Sequence, residues 1–143
     1  MEKKFIHIAI MILLTGCASK REAQPEIIPD ISSCSKCEML ISEAQFTTYL
    51  ISDKIYLFDD IGCMMKYIQS NSDSIKEIGF MDYETKTWIS EKTVIILKVS
   101  AISTPMNYGF IAVNEKSKYL DGNYKTDWKG NWNDFRNYFP QNN

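Results

Sequence analysis

The sequence predicts an α+β fold, built as a tandem pair of small ββαβ units that pack together as one compact domain. Short segments rich in β-branched and aromatic residues alternate with amphipathic helical segments. An order of strand, strand, helix and strand can be traced in each half of the chain. The length of 143 residues suits one compact domain, and a composition of 45% hydrophobic and 24% charged residues is that of an ordinary globular protein.

The first unit is expected over residues 34–88. Its predicted strand, strand, helix and strand are residues 46–51, 55–58, 59–70 and 77–83. Either Asp59 or Asp60 can cap the helix by accepting an unpaired backbone N–H. The apolar residues of that helix recur at i, i+3, i+4 and i+7, and they are Ile61, Met64, Met65 and Ile68. Because the two methionines share this face, and because Met81 lies in a predicted strand, all three are interpreted as core residues.

The second unit is expected over residues 89–143. Its predicted elements are two strands, a short helix and a last strand, over residues 92–99, 108–113, 115–120 and 123–128. A C-terminal helix should follow, because Asn131 can cap it and its apolar residues recur at i, i+3 and i+7. Those apolar residues are Trp132, Phe135 and Phe139.

Residues 1–16 have the features of a lipoprotein signal peptide. Lys3 and Lys4 precede an apolar run over residues 5–14, which is shorter than the roughly 20 residues that span a bilayer. The next residues, Leu14-Thr15-Gly16-Cys17, resemble the bacterial lipobox, in which the cysteine is lipidated and the chain is cut before it. A plain signal peptide and a buried N-terminal helix are the alternatives. We expect an exported lipoprotein, anchored to the membrane by lipid on Cys17 and facing the periplasm or the cell exterior.

Residues 17–33 are expected to form a flexible tether, because they are polar and contain Pro25 and Pro29. Cleavage before Cys17 would remove His7, the single histidine, so the mature chain would contain no imidazole. The thiols that remain after lipidation are those of Cys34, Cys37 and Cys63.

Charge and cysteine content exclude several classes of function. The net charge of −2 gives no basis for binding nucleic acid or acidic lipid through a basic surface. Four cysteines are too few for a disulfide-dense scaffold. We therefore expect no nucleic-acid partner, and contact with the membrane only through the N-terminal lipid.

The stretch "CSKCEM", residues 34–39, brings two cysteines and a methionine together. Structural zinc sites usually use four thiolate or imidazole ligands, and a carboxylate as the fourth ligand is uncommon. The mature chain would offer three free thiols and no histidine, which argues against a structural zinc site. Thiolate and thioether donors favour Cu(I). The soft donors of the mature chain are Cys34, Cys37, Met39, Cys63, Met64, Met65, Met81 and Met106, of which Met64, Met65 and Met81 are interpreted as core residues.

Each candidate ligand also has a structural interpretation. Cys63 lies in the first turn of the predicted helix, where backbone dipoles lower the pKa of a thiol, but a buried structural cysteine would look the same in sequence. Met39 can fill a packing gap. Met106 follows Pro105 in a stretch without periodicity, which makes a core role less expected. The CxxC pair can also be a redox pair, although the strand that precedes a thioredoxin-like motif is missing.

Four stretches occur in one order along the chain: "CSKCEM" at 34–39, "FDDIGCM" at 58–64, the isolated Trp88, and "STPMNYGFIAV" at 103–113. Together with the lipobox, they resemble the NosL family of nitrous oxide reductase accessory lipoproteins, and the resemblance covers residues 34–128. It implies a tandem pair of ββαβ units. It also implies a Cu(I)-binding protein, not an enzyme, that hands copper to the maturation machinery of nitrous oxide reductase.

Carried over residue by residue, the resemblance implies that the Cu(I) ligands come from Cys34, Cys37, Met39, Cys63 and Met106. The family often has glycine between the second cysteine and the methionine, where this chain has Glu38. Glycine permits a positive φ that glutamate resists, so the turn of this loop depends on the tertiary structure. Two other interpretations stay open: an exported thiol–disulfide redox lipoprotein that uses the CxxC pair, and a structural lipoprotein whose cysteines form one bridge.

Overall fold

The computed structural model describes residues 23–140 and confirms an α+β fold, with two antiparallel sheets and two α-helices. In chain order the elements are β1 (Thr48–Ile51), β2 (Ile55–Phe58), α1 (Ile61–Ser70), β3 (Glu77–Met81), β4 (Trp88–Ser90), β5 (Ile95–Lys98), β6 (Phe110–Val113), β7 (Trp128–Gly130) and α2 (Trp132–Tyr138). The predicted signal peptide and Cys17 lie outside the described residues. Over residues 23–140, no helix is both long enough and apolar enough to cross a membrane.

The first sheet has the strand order β2-β1-β3-β4, and each neighbouring pair is antiparallel. β1 and β2 form the predicted hairpin, in which Ile51 pairs with Ile55 beside the turn. α1 follows β2 directly, and it begins at Ile61 because the Asp60 side chain accepts the Cys63 N–H at 2.9 Å. Asp60 is therefore the helix cap, which leaves the neighbouring Asp59 free for another role.

The second sheet has the strand order β6-β5-β7 and is also antiparallel. The predicted short helix at residues 115–120 is present only as a 3-10 helix, Lys118–Leu120. The predicted last strand is wrong, since it is Trp128–Gly130 instead of residues 123–128. The reason is pairing: the last strand forms where Trp128 lies opposite Lys98 and Gly130 lies opposite Ile96 on β5.

α2 forms as predicted, with Asn131 as its cap. The Asn131 side chain accepts the Asp134 N–H at 3.0 Å, and the Asp134 side chain accepts the Asn131 N–H at 3.1 Å. This reciprocal pair satisfies two backbone donors at the helix start. It fixes where the C-terminal aromatic residues enter the core.

One core is shared by both sheets and both helices. Its fully buried members include Leu50, Phe58, Met64, Phe80, Ile96 and Phe135. Burying a side chain of this size contributes about 1.5–3 kcal/mol relative to leaving it in water. Met64, Met65 and Met81 are 0%, 3% and 8% exposed, which confirms the interpretation of all three as core residues.

The two sheets are joined at Asp82, which follows β3 and is fully buried. One carboxylate oxygen accepts the N–H groups of Glu84 and Thr85, and the other accepts the backbone and side-chain N–H groups of Asn114 just after β6. Burial acts to raise the pKa of Asp82, but these N–H donors act against it and hold the pKa below its ordinary value. Asp82 therefore acts as an ionised link between the two halves.

The described end of the predicted tether is attached to the domain. The Pro25 carbonyl accepts the Trp88 indole N–H at 3.2 Å, and the Asp30 N–H donates to the Ile41 carbonyl at 3.0 Å. The Ile41 N–H in turn donates to the Ser32 carbonyl at 2.8 Å. Described residues before Cys34 thus belong to the folded domain, because backbone pairing across "CSKCEM" holds them against it.

Candidate metal centre

The stretch "CSKCEM" is a tight loop between two short paired segments. Ser33 and Leu40 pair across its base, the Cys34 N–H donates to the Met39 carbonyl at 2.8 Å, and the Glu38 N–H donates to the Cys34 carbonyl at 2.9 Å. The loop is attached to β2, since the Ser35 N–H donates to a carbonyl of that strand at 2.7 Å. The loop therefore presents its two thiols beside the end of β2.

Glu38 has a φ of +65°, in the left-handed region that favours glycine. The loop thus has a left-handed turn at the position where glycine is expected from the resemblance. For a non-glycine residue this conformation costs roughly 1–2 kcal/mol, which the surrounding backbone hydrogen bonds offset. The departure from the family's glycine does not prevent the tight turn.

The structure brings four side chains together at this loop. The sulfur atoms of Cys34, Cys37 and Cys63 and a carboxylate oxygen of Asp59 all lie within 4.8 Å of one another. Cys34 and Cys63 are 1% and 3% exposed, whereas Cys37 is partly exposed, and all three are free thiols. This four-residue set, called here the thiol cluster, can hold a metal ion.

Three elements position the thiol cluster. The loop supplies Cys34 and Cys37. The connection directly after β2 supplies Asp59, and the first turn of α1 supplies Cys63. The short connection from β2 to α1 places Asp59 and Cys63 beside the loop. Sequence analysis did not identify Asp59 as a donor, because two adjacent aspartates before a helix are explained equally well as alternative caps.

Asp59 has one engaged and one unengaged carboxylate oxygen. Its Oδ2 accepts a hydrogen bond from the Cys37 thiol at 3.3 Å, while Oδ1 is buried and has no partner among residues 23–140. The side chain is 2% exposed, and no described lysine forms an ion pair with it. A buried carboxylate oxygen in this state is unusual, since such groups are nearly always satisfied.

Charge within the thiol cluster is distributed unevenly. A hydrogen bond from the Cys63 thiol, followed by the backbone N–H groups of Cys37, Asp59 and Lys36, lowers the pKa of Cys34 to about 7 against the effect of burial. Burial raises the pKa of Cys37 to about 11, and the neighbouring Cys34 and Asp59 act in the same direction.

The pKa of Cys63 is also raised, first by its hydrogen bond to Cys34 and then by burial and Asp59. Of the two interpretations that the sequence left open for Cys63, a thiol with a pKa lowered by the helix start and a buried structural cysteine, the raised pKa agrees with the second. The negative charge next to it outweighs the helix dipole, so Cys34 is the one of the three thiols whose pKa is lowered.

Asp60 connects the start of α1 to the "STPMNYG" loop. Besides the Cys63 N–H, its carboxylate accepts the Met106 N–H at 3.2 Å and the Thr104 hydroxyl at 3.3 Å. Burial raises the pKa of Asp60, and these three donors partly compensate. The Tyr108 ring of the same loop lies against Gly62, so this loop is packed tightly onto the helix turn that carries Cys63.

The two predicted methionine ligands differ in their surroundings. Met106 is partly buried and packs against the core cluster that contains Cys34 and Cys63. The Met39 side chain is 53% exposed, whereas its backbone carbonyl accepts the Cys34 N–H and so closes the loop. Their participation in metal binding stays a prediction.

Comparison of the chain with family models, with curated proteins and with solved structures found no match. The resemblance to NosL therefore stays a prediction. What the geometry establishes is a set of three thiols and one carboxylate that can bind a metal or, through its sulfur atoms alone, form a disulfide.

Proposed function

We propose that the protein is a membrane-anchored Cu(I)-binding chaperone that delivers copper for the maturation of nitrous oxide reductase. The observation that carries this proposal is the convergence of Cys34, Cys37 and Cys63 in a chain whose only imidazole lies in the predicted signal peptide. Soft thiolate donors without imidazole favour Cu(I) over most divalent ions.

The uneven burial of the thiols fits a site that holds and then releases its ion. Cys34 and Cys63 are enclosed and would supply most of the binding energy, while Cys37 lies at the accessible side. A partner's sulfur ligand could approach past Cys37 and exchange with it, since two- or three-coordinate Cu(I) accepts an incoming ligand. Met106, whose backbone N–H donates to Asp60 and whose side chain packs against the core cluster that contains Cys34 and Cys63, would act as a weaker thioether donor that tunes release.

The finer assignments in this proposal rest on sequence patterns. The lipobox supports anchoring by lipid on Cys17 on the exported side of a membrane, and the NosL resemblance supports the tandem ββαβ description and the copper-acceptor partner. The protein would act by binding and ligand exchange, not as an enzyme.

Competition for Cu(I) tests the proposal. Full-length protein with Cys17→Ser, reduced and purified in detergent, is titrated with Cu(I) in the presence of a chromophoric Cu(I) chelator. We expect one equivalent of Cu(I) to be withdrawn from the chelator, and a variant with Cys34→Ser and Cys63→Ser to withdraw none. Failure of the parent protein to compete at one equivalent would contradict the proposed function.

One observation favours a second candidate, an exported thiol–disulfide redox lipoprotein. The Cys34 and Cys37 sulfurs belong to the same tight cluster, and the Cys34 pKa of about 7 would make it a competent attacking thiolate. Insulin reduction and a measured reduction potential separate the two functions. A redox protein reduces insulin catalytically, whereas a copper chaperone does not.

A further inference from the structure

We infer that Asp59 is an oxygen ligand that completes a site of three sulfurs and one oxygen, so the thiol cluster also takes a divalent thiophilic ion of the Zn²⁺ or Co²⁺ type. This inference rests on the proposed metal-binding function of the three thiols. It adds a residue outside the predicted ligand set and a second class of metal ion.

The unpartnered oxygen of Asp59 is the first observation behind the inference. Oδ1 is buried and accepts no hydrogen bond within residues 23–140, while Oδ2 lies 3.3 Å from the Cys37 sulfur. The carboxylate is thus held at the cluster with one lone-pair-bearing oxygen unsatisfied. A metal ion among the sulfurs can therefore take an oxygen of this carboxylate as a ligand.

The spacing of the donors is the second observation. All four donor atoms lie within 4.8 Å of one another. A tetrahedral ion with metal–sulfur bonds of about 2.3 Å requires sulfur atoms about 3.8 Å apart. The donor atoms are therefore at most about 1.0 Å farther apart than such a site requires, a difference of the size that side-chain rotation can supply.

The charge of the donor set is the third observation. Three thiolates and one carboxylate carry four negative charges, and no described lysine forms an ion pair with Asp59. A divalent ion offsets twice as much of this charge as Cu(I) does. We therefore expect Cu(I) to use sulfur donors alone and a divalent ion to recruit Asp59, with the thiol protons released to solvent in both cases.

Asp59 and Asp60 have separate roles in this arrangement. Asp60 is fully engaged by the Cys63 N–H, the Thr104 hydroxyl and the Met106 N–H. The Asp59 carboxylate, in contrast, accepts no backbone N–H within residues 23–140. Among these residues, Asp59 is therefore the carboxylate available at the cluster.

Cobalt spectroscopy tests the inference. Reduced full-length protein with Cys17→Ser is titrated with Co²⁺, and the ligand-field bands report tetrahedral geometry while the sulfur-to-cobalt charge-transfer intensity counts thiolates. We expect one tetrahedral Co²⁺ with three thiolates. Asp59→Asn should bind Co²⁺ at least about tenfold more weakly with shifted ligand-field bands, yet keep its Cu(I) affinity.

A second variant tests Asp59 without relying on a loss of binding. Asp59→Cys should raise the charge-transfer intensity to that of four thiolates, because the new sulfur would occupy the position of the oxygen. Asp53→Asn, on the exposed hairpin turn away from the cluster, is the matched control and should leave both metals unaffected.

The outcomes distinguish this inference from the proposed function. Parent protein that binds neither Cu(I) nor Co²⁺ overturns both. Three results would overturn the inference alone. The parent protein binds Cu(I) but no Co²⁺, or Asp59→Asn binds Co²⁺ with unchanged affinity and ligand-field bands, or the charge-transfer intensity of Asp59→Cys corresponds to only three thiolates. Near-ultraviolet circular dichroism of the metal-free Asp59 variants separates loss of a ligand from loss of the fold.

Discussion

Packing between α1 and the "STPMNYG" loop leads to a quantitative prediction about Gly62→Ala. Gly62 lies in the first turn of α1, next to Cys63, and the Tyr108 ring covers it. A Cβ atom added at this position would lie 2.1 Å from Tyr108 Cδ2 and 2.5 Å from Cε2. The substitution therefore forces the loop that carries Met106 away from the helix.

The size of the effect follows from these distances. Carbon atoms pack at about 3.5 Å, so the Tyr108 ring has to retreat by roughly 1.4 Å. Overpacking of this kind costs about 1–3 kcal/mol, and the better helix propensity of alanine returns up to about 1 kcal/mol. We expect Gly62→Ala to lower the free energy of unfolding by about 1 kcal/mol. Retreat of the loop should also stretch the hydrogen bond from the Met106 N–H to Asp60.

Gly79→Ala provides a matched control. Its added Cβ would lie 2.1 Å from the Tyr49 ring, the same closest approach as at Gly62. Tyr49 lies on the opposite face of β1 from Leu50, which packs in the core with residues of α1, so this clash is on the other face of the sheet from α1 and Cys63. Both variants are measured by urea unfolding and by Cu(I) competition.

Both variants should lose stability, but only Gly62→Ala should bind Cu(I) more weakly. We expect its dissociation constant for Cu(I) to rise about threefold or more, which corresponds to a loss of about 0.7 kcal/mol in binding free energy. Unchanged Cu(I) affinity in a folded Gly62→Ala protein would refute the reasoning that the loop contributes to the site. Unchanged stability would refute the packing argument itself.

Three further predictions concern single side chains. Met106→Leu should weaken Cu(I) binding about tenfold while changing the free energy of unfolding by less than about 1.5 kcal/mol, because the volumes are similar; equal affinity by competition titration would remove Met106 from the site. Glu38→Gly should leave Cu(I) affinity unchanged, because the backbone already has a φ of +65°, and a large affinity change would show that the turn differs. Asp82→Asn should cost about 1–3 kcal/mol in urea unfolding near neutral pH. Because the pKa of Asp82 is lower in the folded than in the unfolded protein, its contribution to stability is fully present above the unfolded pKa of about 3.9 and is lost as the pH falls through the folded pKa. The free energy of unfolding of Asp82→Asn should therefore fall less steeply with decreasing pH than that of the parent. An equally steep fall would contradict this role.

Local patterns were sufficient for the longer elements of the fold. Spacing of apolar residues placed α1 and α2, and adjacent β-rich runs placed the first hairpin, because these elements are defined by contacts within a few residues. β4 and β7 could not be placed in this way. Each has three residues, too few to show a period, and each exists because a neighbouring strand supplies its hydrogen bonds.

In the candidate site, too, residue type could be predicted from the sequence, whereas spatial arrangement could not. Residue type alone identified Cys34, Cys37 and Cys63 as soft donors, since thiol chemistry does not depend on the fold. Their meeting within 4.8 Å depends on the contact between the loop, the end of β2 and the first turn of α1, and so does the burial that separates their pKa values. Neither effect has a signal in sequence spacing.

The adjacent aspartates show this division most clearly. From the sequence, Asp59 and Asp60 are equivalent candidates for one helix cap. The tertiary structure directs Asp60 to the backbone of α1 and the "STPMNYG" loop, and Asp59 to the thiols. The sequence by itself determined which chemistry this protein can offer, because ligand type is a property of single residues. Only the tertiary structure decided which residues offer it together, because long-range packing sets where each carboxylate and thiol lies.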